Sequence, residues 1–201
     1  MDLTSTTLTL PRGVARLTPM RPDHADALFA ASEPVVWSYM TSPPPRNRTE
    51  MLAWMNVALE GHAKGTDLPW VIEHKPSDRV IGTTRYLDIQ HQHRAVEIGF
   101  TWINPAHQRS SINTECKFLL LRHAFEALGC VRVQLKTDGR NLQSQNAIAR
   151  LGAVREGVHR RHRVLYDGFI RDTVYFSITD LEWPSVKRGL IERLGPIAQG
   201  A

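Results

Sequence analysis

Cysteine is nearly missing from this 201-residue chain, which has two, Cys116 and Cys130. Without spaced partners they make no zinc motif and no disulfide framework, and both are expected to be reduced and buried. Long apolar runs are missing too. No stretch approaches the roughly 20 residues that a membrane-crossing helix needs. The N-terminus, MDLTSTTLTLPRG, lacks a basic segment followed by an apolar block, so no secretory leader is read there. Internal repeats and low-complexity segments are also absent. The expectation is a cytoplasmic protein with no membrane partner.

Basic residues are not scarce: 25 Lys and Arg against 20 Asp and Glu give a net charge of +5. That balance suits a polyanionic partner but does not choose among a nucleotide cofactor, nucleic acid, the ribosome and anionic lipid. The densest basic run, His159 to Arg163, reads as a solvated strand face. The chain has no aromatic–basic stacking motif and no helix-turn-helix signature, which argues against nucleic acid or ribosome binding as its main task. His91-Gln92-His93 lies in a polar turn with no third ligand nearby, so no metal is expected.

Hydrophobic content of 42% and charged content of 22% are ordinary for a globular protein, and the length suits one domain around one core. Leu8 to Met20 reads as a first strand interrupted by Pro-Arg-Gly. Arg21-Pro22-Asp23 opens a helix carrying Ala25, Leu28, Phe29 and Ala31. Ser42 to Pro45 is a loop, and a second helix follows with Thr49 as its N-cap. Three strands come next, near Trp70 to Ile72, Val80 to Ile89 and Ala95 to Ile103, and they suggest an antiparallel meander. A helix (Thr114 to Leu128), a strand (Val131 to Thr137) and a helix (Leu142 to Leu151) then alternate, with Gly152 as a left-handed cap. Val154 to Tyr166 and Arg171 to Thr179 form a hairpin about Asp167-Gly168, and Pro184 opens a last helix. Periodicity therefore gives a mixed α/β fold.

The most informative segment runs from Val96 to Gly152. A strand leads through a polar turn into a helix, and a second strand leads into a helix that begins at Asn-x-x-Ser. A turn that opens a helix presents unpaired N–H groups at the positive end of the dipole, a seat for phosphate. The motifs NTE-x-K-x-LLLRHAFE-x-LG, TD-x-RN-x-x-S-x-x-AI-x-RLGA and DG-x-x-RDTV-x-FSI resemble the GNAT superfamily of acyl-CoA-dependent N-acyltransferases, in its Rim-type branch of ribosomal-protein N-terminal acetyltransferases. The resemblance runs from about Gly13 to Trp183, with a further helix over 184–195. It implies a mostly antiparallel sheet with one splayed parallel pair, helices on both faces, and acetyl-CoA as co-substrate in the gap. The acceptor is then a protein N-terminus or a small amine. A succinyl-CoA donor, a CoA-binding module without catalysis, and a homodimer all remain open.

The resemblance also implies site residues. The pyrophosphate turn is Gln108, Arg109, Ser110, Ser111, Ile112, Asn113 and Thr114. Here the chain departs from the family, because Ser111 stands where the first glycine is expected and Asn113 at or near the second. Glu97, just before Ile98-Gly99, matches the general base. The plainer reading is a Glu paired with Arg85 or Arg94 across a hairpin. Ser144 matches the group that donates to the leaving thiolate, and Asn141 a pantetheine or helix-start contact. The plainer reading of both is capping. Backbone N–H groups near Trp102 and Ile103 would polarise the thioester carbonyl. Strict alternation puts Glu97, Gly99 and Thr101 on one strand face, and Val96, Ile98, Phe100 and Trp102 on the other. Trp37, Tyr39 and Arg85 are candidate acceptor contacts, with Met40 and Trp54 nearby, although aromatic residues at such spacing are more often core.

Overall fold

The computed structural model describes Met1 and residues 3–198. Eight strands form one sheet in the order β1-β2-β3-β4-β5-β6-β8-β7. Their ranges are β1 Leu8–Thr9, β2 Ala15–Pro19, β3 Leu68–His74, β4 Arg79–Gln90, β5 Ala95–Ile103, β6 Arg132–Asp138, β7 Val154–Val164 and β8 Ile170–Thr179. Every neighbouring pair is antiparallel except β5 with β6. The helices are α1 Ala25–Ala31, α2 Arg48–Ala63, α3 Ile112–Arg122, α4 Leu142–Ala149 and α5 Trp183–Leu194. The mixed sheet with helices on both faces is as expected, and so are the bounds of β5.

The sheet divides two cores. One is large and lies under α3, α4 and α5, where Phe118, Leu119, Ile148 and Leu190 meet Ile72, Ile98 and Leu135. The other is smaller and lies under α1 and α2, where Leu28, Met51, Met55 and Trp37 meet Val71 and Trp102. Strict alternation along β3 feeds both, since Trp70 and Ile72 go to the first core and Val71 to the second.

Three local readings change. Pro-Arg-Gly is a turn rather than an interruption: β1 folds back on β2, with Leu8 opposite Leu17. The cap of α2 is Asn47, whose side chain accepts from the Glu50 amide at 3.0 Å, and Thr49 lies inside the helix. After Arg122, α3 widens into one π turn over His123–Ala127. Gly152 has φ +98, the left-handed cap its position called for.

Candidate functional site

β5 and β6 share four register pairs, Ala95↔Arg132, Val96↔Val133, Glu97↔Gln134 and Ile98↔Leu135, and then part. Beyond Ile98, β5 follows β4 alone. Beyond Leu135, β6 follows β8 alone, as far as Asp138↔Thr173. The gap opens towards the turn before α3 and the start of α4.

A bulge on β5 shapes this gap. Arg85 pairs with Gly99 and Thr83 with Trp102, so two steps on β4 meet three on β5, and Phe100 takes the extra position at φ +48. A bulge bends its strand and re-aims the side chains beyond it. The expected alternation therefore fails at Phe100. Phe100 and Trp102 face α1 and α2 together with Glu97: Phe100 lies 3.7 Å beneath the Arg85 guanidinium, and Trp102 packs on Trp37. Thr101 faces α3 instead, where its hydroxyl meets Thr84 Oγ1 at 2.7 Å and accepts from Lys117 Nζ at 2.8 Å. Gly82 lets β4 approach here, because a Cβ would lie 2.1 Å from the Trp102 carbonyl oxygen.

Glu97 stands at the last rungs of the pair and is 2% exposed. Its carboxylate accepts from Gln134 Nε2 at 3.1 Å and from Lys136 Nζ at 2.6 Å, both on β6. The expected hairpin partners, Arg85 and Arg94, are not the ones it takes, because the parallel neighbour presents its own polar face at the same height. Gly99 leaves the carboxylate room, since a Cβ there would come within 3.1 Å of Glu97 Oε1 and 2.8 Å of Leu87 Cδ2.

The turn before α3 is built by local bonds. Asn104 caps a short 3-10 turn by accepting from the Ala106 amide at 3.0 Å, and Gln108 Nε2 donates to Ile103 O at 2.9 Å. Arg109 takes the left-handed conformation, φ +57, and is exposed. Ser110 donates to His107 O at 2.7 Å, and Ser111 to Glu115 Oε1 at 2.6 Å. Both hydroxyl protons are thus committed, and phosphate would rest on backbone amides and Arg109. Ser111 has φ −67, where glycine has no advantage. α3 begins at Ile112, whose side chain is core and whose amide donates to Ser110 Oγ at 3.4 Å. Among the described residues no acceptor is matched to the amides of Asn113 and Thr114, as at any open helix start.

Glu115 anchors the turn, a role the sequence reading missed. It is fully buried and accepts from the amides of Val14 (2.8 Å) and Ala15 (3.1 Å) as well as from Ser111. Gly13 makes room for it, because a Cβ there would be 2.5 Å from Glu115 Oε2.

Across the gap, Asn141 accepts from the Ser144 amide at 2.9 Å and caps α4, which is the plainer reading of that residue. Ser144 is half-buried, and its hydroxyl has no partner among the described residues. Asp138 ends β6. It is 1% exposed and takes three bonds from Arg140, through the amide (2.8 Å), Nε (3.0 Å) and Nη2 (2.8 Å). Burial pushes its pKa up, but the Arg140 bonds outweigh that and the net shift is downward. Arg140 stacks 3.5 Å from the Phe169 ring, and Arg171 donates to Tyr39 O at 3.3 Å. The TD-x-RN and DG-x-x-RDTV motifs thus clasp each other at the rim of the gap. Their repeated Asp and Arg were the signal for this contact.

Of the acceptor-side candidates, Trp37 is core, 1% exposed, and Tyr39 is open at 38%. Arg85 is 8% exposed and lies 3.2 Å from Asp67 Oδ1, at an angle that leaves its Nε without a hydrogen bond. Burial draws its pKa down, and Asp67 and Glu97 draw it back up. The Nε1 groups of Trp37 and Trp102 are likewise buried without a partner among the described residues. No group of three or more metal-ligating side chains occurs among those residues, and no helix there is long and apolar enough to cross a membrane.

The family model described as acetyltransferase (GNAT) domain matches residues 15–154. The uncharacterized N-acetyltransferase YoaA of Bacillus subtilis (strain 168) is 30% identical over 155 residues, which cover 77% of this chain and 86% of that protein. The crystal structure of a GCN5-related N-acetyltransferase from Brucella melitensis is similar with a TM-score of 0.84 and 29% identity, over 94% of this chain and 90% of that one. Mycobacterium smegmatis RimJ in complex with CoA-disulfide is similar with a TM-score of 0.79 and 25% identity, over 95% and 96%.

Removing the Glu115 carboxylate would strand two backbone amides and a hydroxyl in the core. Glu115→Ala is expected to cost roughly 3 kcal/mol of stability, and Glu115→Gln less, both read from urea unfolding midpoints. An unchanged midpoint for the alanine variant would contradict the anchoring role.

Proposed function

Because the chain belongs to the GNAT acetyltransferase family, we propose that it moves an acetyl group from acetyl-CoA to a primary amine, with the thioester seated where β5 leaves β6. The observation that carries this reading is the parting of the two strands directly after the Glu97↔Gln134 and Ile98↔Leu135 rungs. A slot bounded by strand edges, with a helix start on each side, fits a long thioester arm that ends in a pyrophosphate. Acetyl-CoA supplies an activated acyl carbon, and this chain's residues do the rest.

In this reading the backbone amides of Ser110, Ser111, Asn113 and Thr114 hold the pyrophosphate, with the Ile112 amide bonded to Ser110 Oγ, Arg109 adding charge and Gln108 bracing the turn. The right-handed backbone at Ser111 supports a working turn over a module that has lost catalysis. Amides near Trp102 and Ile103 polarise the carbonyl at the bulge, the point where β5 has no neighbour on the β6 side. Glu97 takes the acceptor's proton, directly or through one water, and Lys136 and Gln134 fix its carboxylate. The Ser144 hydroxyl has no other partner among the described residues. It donates to the sulfur as the thiolate leaves, held at the gap by the Asn141 cap. The amine attacks in a ternary complex, with no covalent intermediate on the protein. The acceptor, a protein N-terminus or a small amine, approaches past Tyr39 and Arg85, with Trp37 backing that wall. A longer donor such as succinyl-CoA is an arm of the same assay.

Release of free CoA thiol, followed over a panel of amines and N-terminal peptides, tests the reading. Glu97→Gln is expected to lower kcat/KM by about 100-fold or more, to leave acetyl-CoA affinity intact, and to flatten the rise of rate with pH. A mutant whose rate–pH profile overlays the native one removes Glu97 from the role. Ser144→Ala is expected to slow turnover about tenfold or more at unchanged acceptor KM. Native kcat in that variant would leave Ser144 as part of the helix start alone.

A further inference from the structure

We propose that Lys117 is a positioning residue for the donor, its ammonium giving hydrogen bonds to the carbonyl oxygens of the pantetheine arm from the α3 side of the gap. The inference rests on the seat proposed above for acetyl-CoA.

Lys117 is 7% exposed, and its one partner among the described residues is the Thr101 hydroxyl, 2.8 Å away. Thr101 in turn meets another hydroxyl, Thr84 Oγ1, and its own strand's Gly99 carbonyl, with no charged partner besides Lys117 among the described residues. An ammonium has three donors, so two are left over. Among the described residues no carboxylate pairs with it. Glu115, on the same helix, has its oxygens engaged by Val14, Ala15 and Ser111. Glu97 faces the other side of β5, where Lys136 and Gln134 hold it. A buried ammonium with a single neutral partner is costly, and proteins keep such a group where something else completes it.

The position says what completes it. Thr101 lies on β5 past its last pairing with β6, so Lys117 reaches the flank of the gap. Lys117 stands about 9 Å along the helix axis from Ser111, at 1.5 Å per residue, and helical side chains lean back towards the N-terminus. Its ammonium therefore lies between the phosphate turn and the gap. A ligand arm running from one to the other passes it, and the amide carbonyls of pantetheine are acceptors of the kind the ammonium lacks. The remaining neighbours are neutral. Thr84 and Thr101 face it from the sheet. Cys116, the titratable neighbour that acts on it, is itself pushed up to about 12 by burial.

Burial draws the Lys117 pKa down to about 8, so its charge is present at neutral pH and lost just above it. Acceptor oxygens raise that pKa on binding. The contribution to affinity is then whole below pH 8 and falls as the pH rises through 8.

Calorimetric titration with acetyl-CoA at pH 7 and pH 9, on the native protein and Lys117→Met, decides it. The native protein is expected to bind about tenfold more weakly at pH 9 than at pH 7. The variant should bind about tenfold more weakly at pH 7 and lose that extra pH dependence. Equal affinity and equal slope in the two proteins overturn the inference while leaving the seat intact. No binding by the native protein at either pH overturns the seat, and the inference with it. Should the variant not fold, native titrations at pH 8 in two buffers of different ionisation enthalpy give the same answer: uptake of about half a proton supports the role, and none overturns it.

Discussion

Two parallel strands hold together for four rungs and then separate, and the site depends on that separation. Each strand leaves with its other neighbour. β6 stays paired to β8 over seven positions, Arg132↔Thr179 to Asp138↔Thr173. β5 stays with β4, which can close on it because Gly82 has no side chain to meet the Trp102 carbonyl. The left-handed Phe100 absorbs the bend. Neither half of the sheet loses its ladder, so the gap costs few backbone hydrogen bonds. The large core under α3 and α5 runs beneath both halves and keeps them from drifting apart.

Opposite charges meet β5 on its two sides at the gap. Glu97 faces α1 and α2 with Lys136 as its partner, while on the other side Lys117 reaches in from α3 to the Thr101 hydroxyl, which meets Thr84. Both charged groups are nearly closed to solvent, where electrostatic effects are larger than at the surface. The rim is tied separately: Asp138 holds Arg140, Arg140 lies on Phe169, and Arg171 holds the Tyr39 backbone. Three distant stretches of sequence thereby meet at one mouth.

Much of this was legible in the residues. The limits of β5, the Gly152 cap and the start of α4 at Asn141 each rest on a local rule, and each stands. What was not legible depends on partners far along the chain or on rare backbone. Nothing in Phe100 itself announces a positive φ, and that one residue reverses the expected faces of Thr101, Phe100 and Trp102. The partners of Glu97 lie on β6, so a hairpin argument could not reach them. Nothing in the turn's own residues shows that His107 O and Glu115 take the hydroxyl protons of Ser110 and Ser111. The cap of α2 was within reach, since Asn47 precedes Glu50 in an Asn-x-x-Glu pattern and Asn caps better than Thr.

Hydrogen exchange of the backbone amides, compared with and without saturating acetyl-CoA, measures the central claim at its location. If the gap seats the donor, exchange slows most at residues 99–103 on β5 and 109–115 at the turn, while the β1–β2 hairpin and the outer strand β7 are unchanged. Slowing confined to other parts of the molecule, with residues 99–103 and 109–115 exchanging as before, would contradict the account.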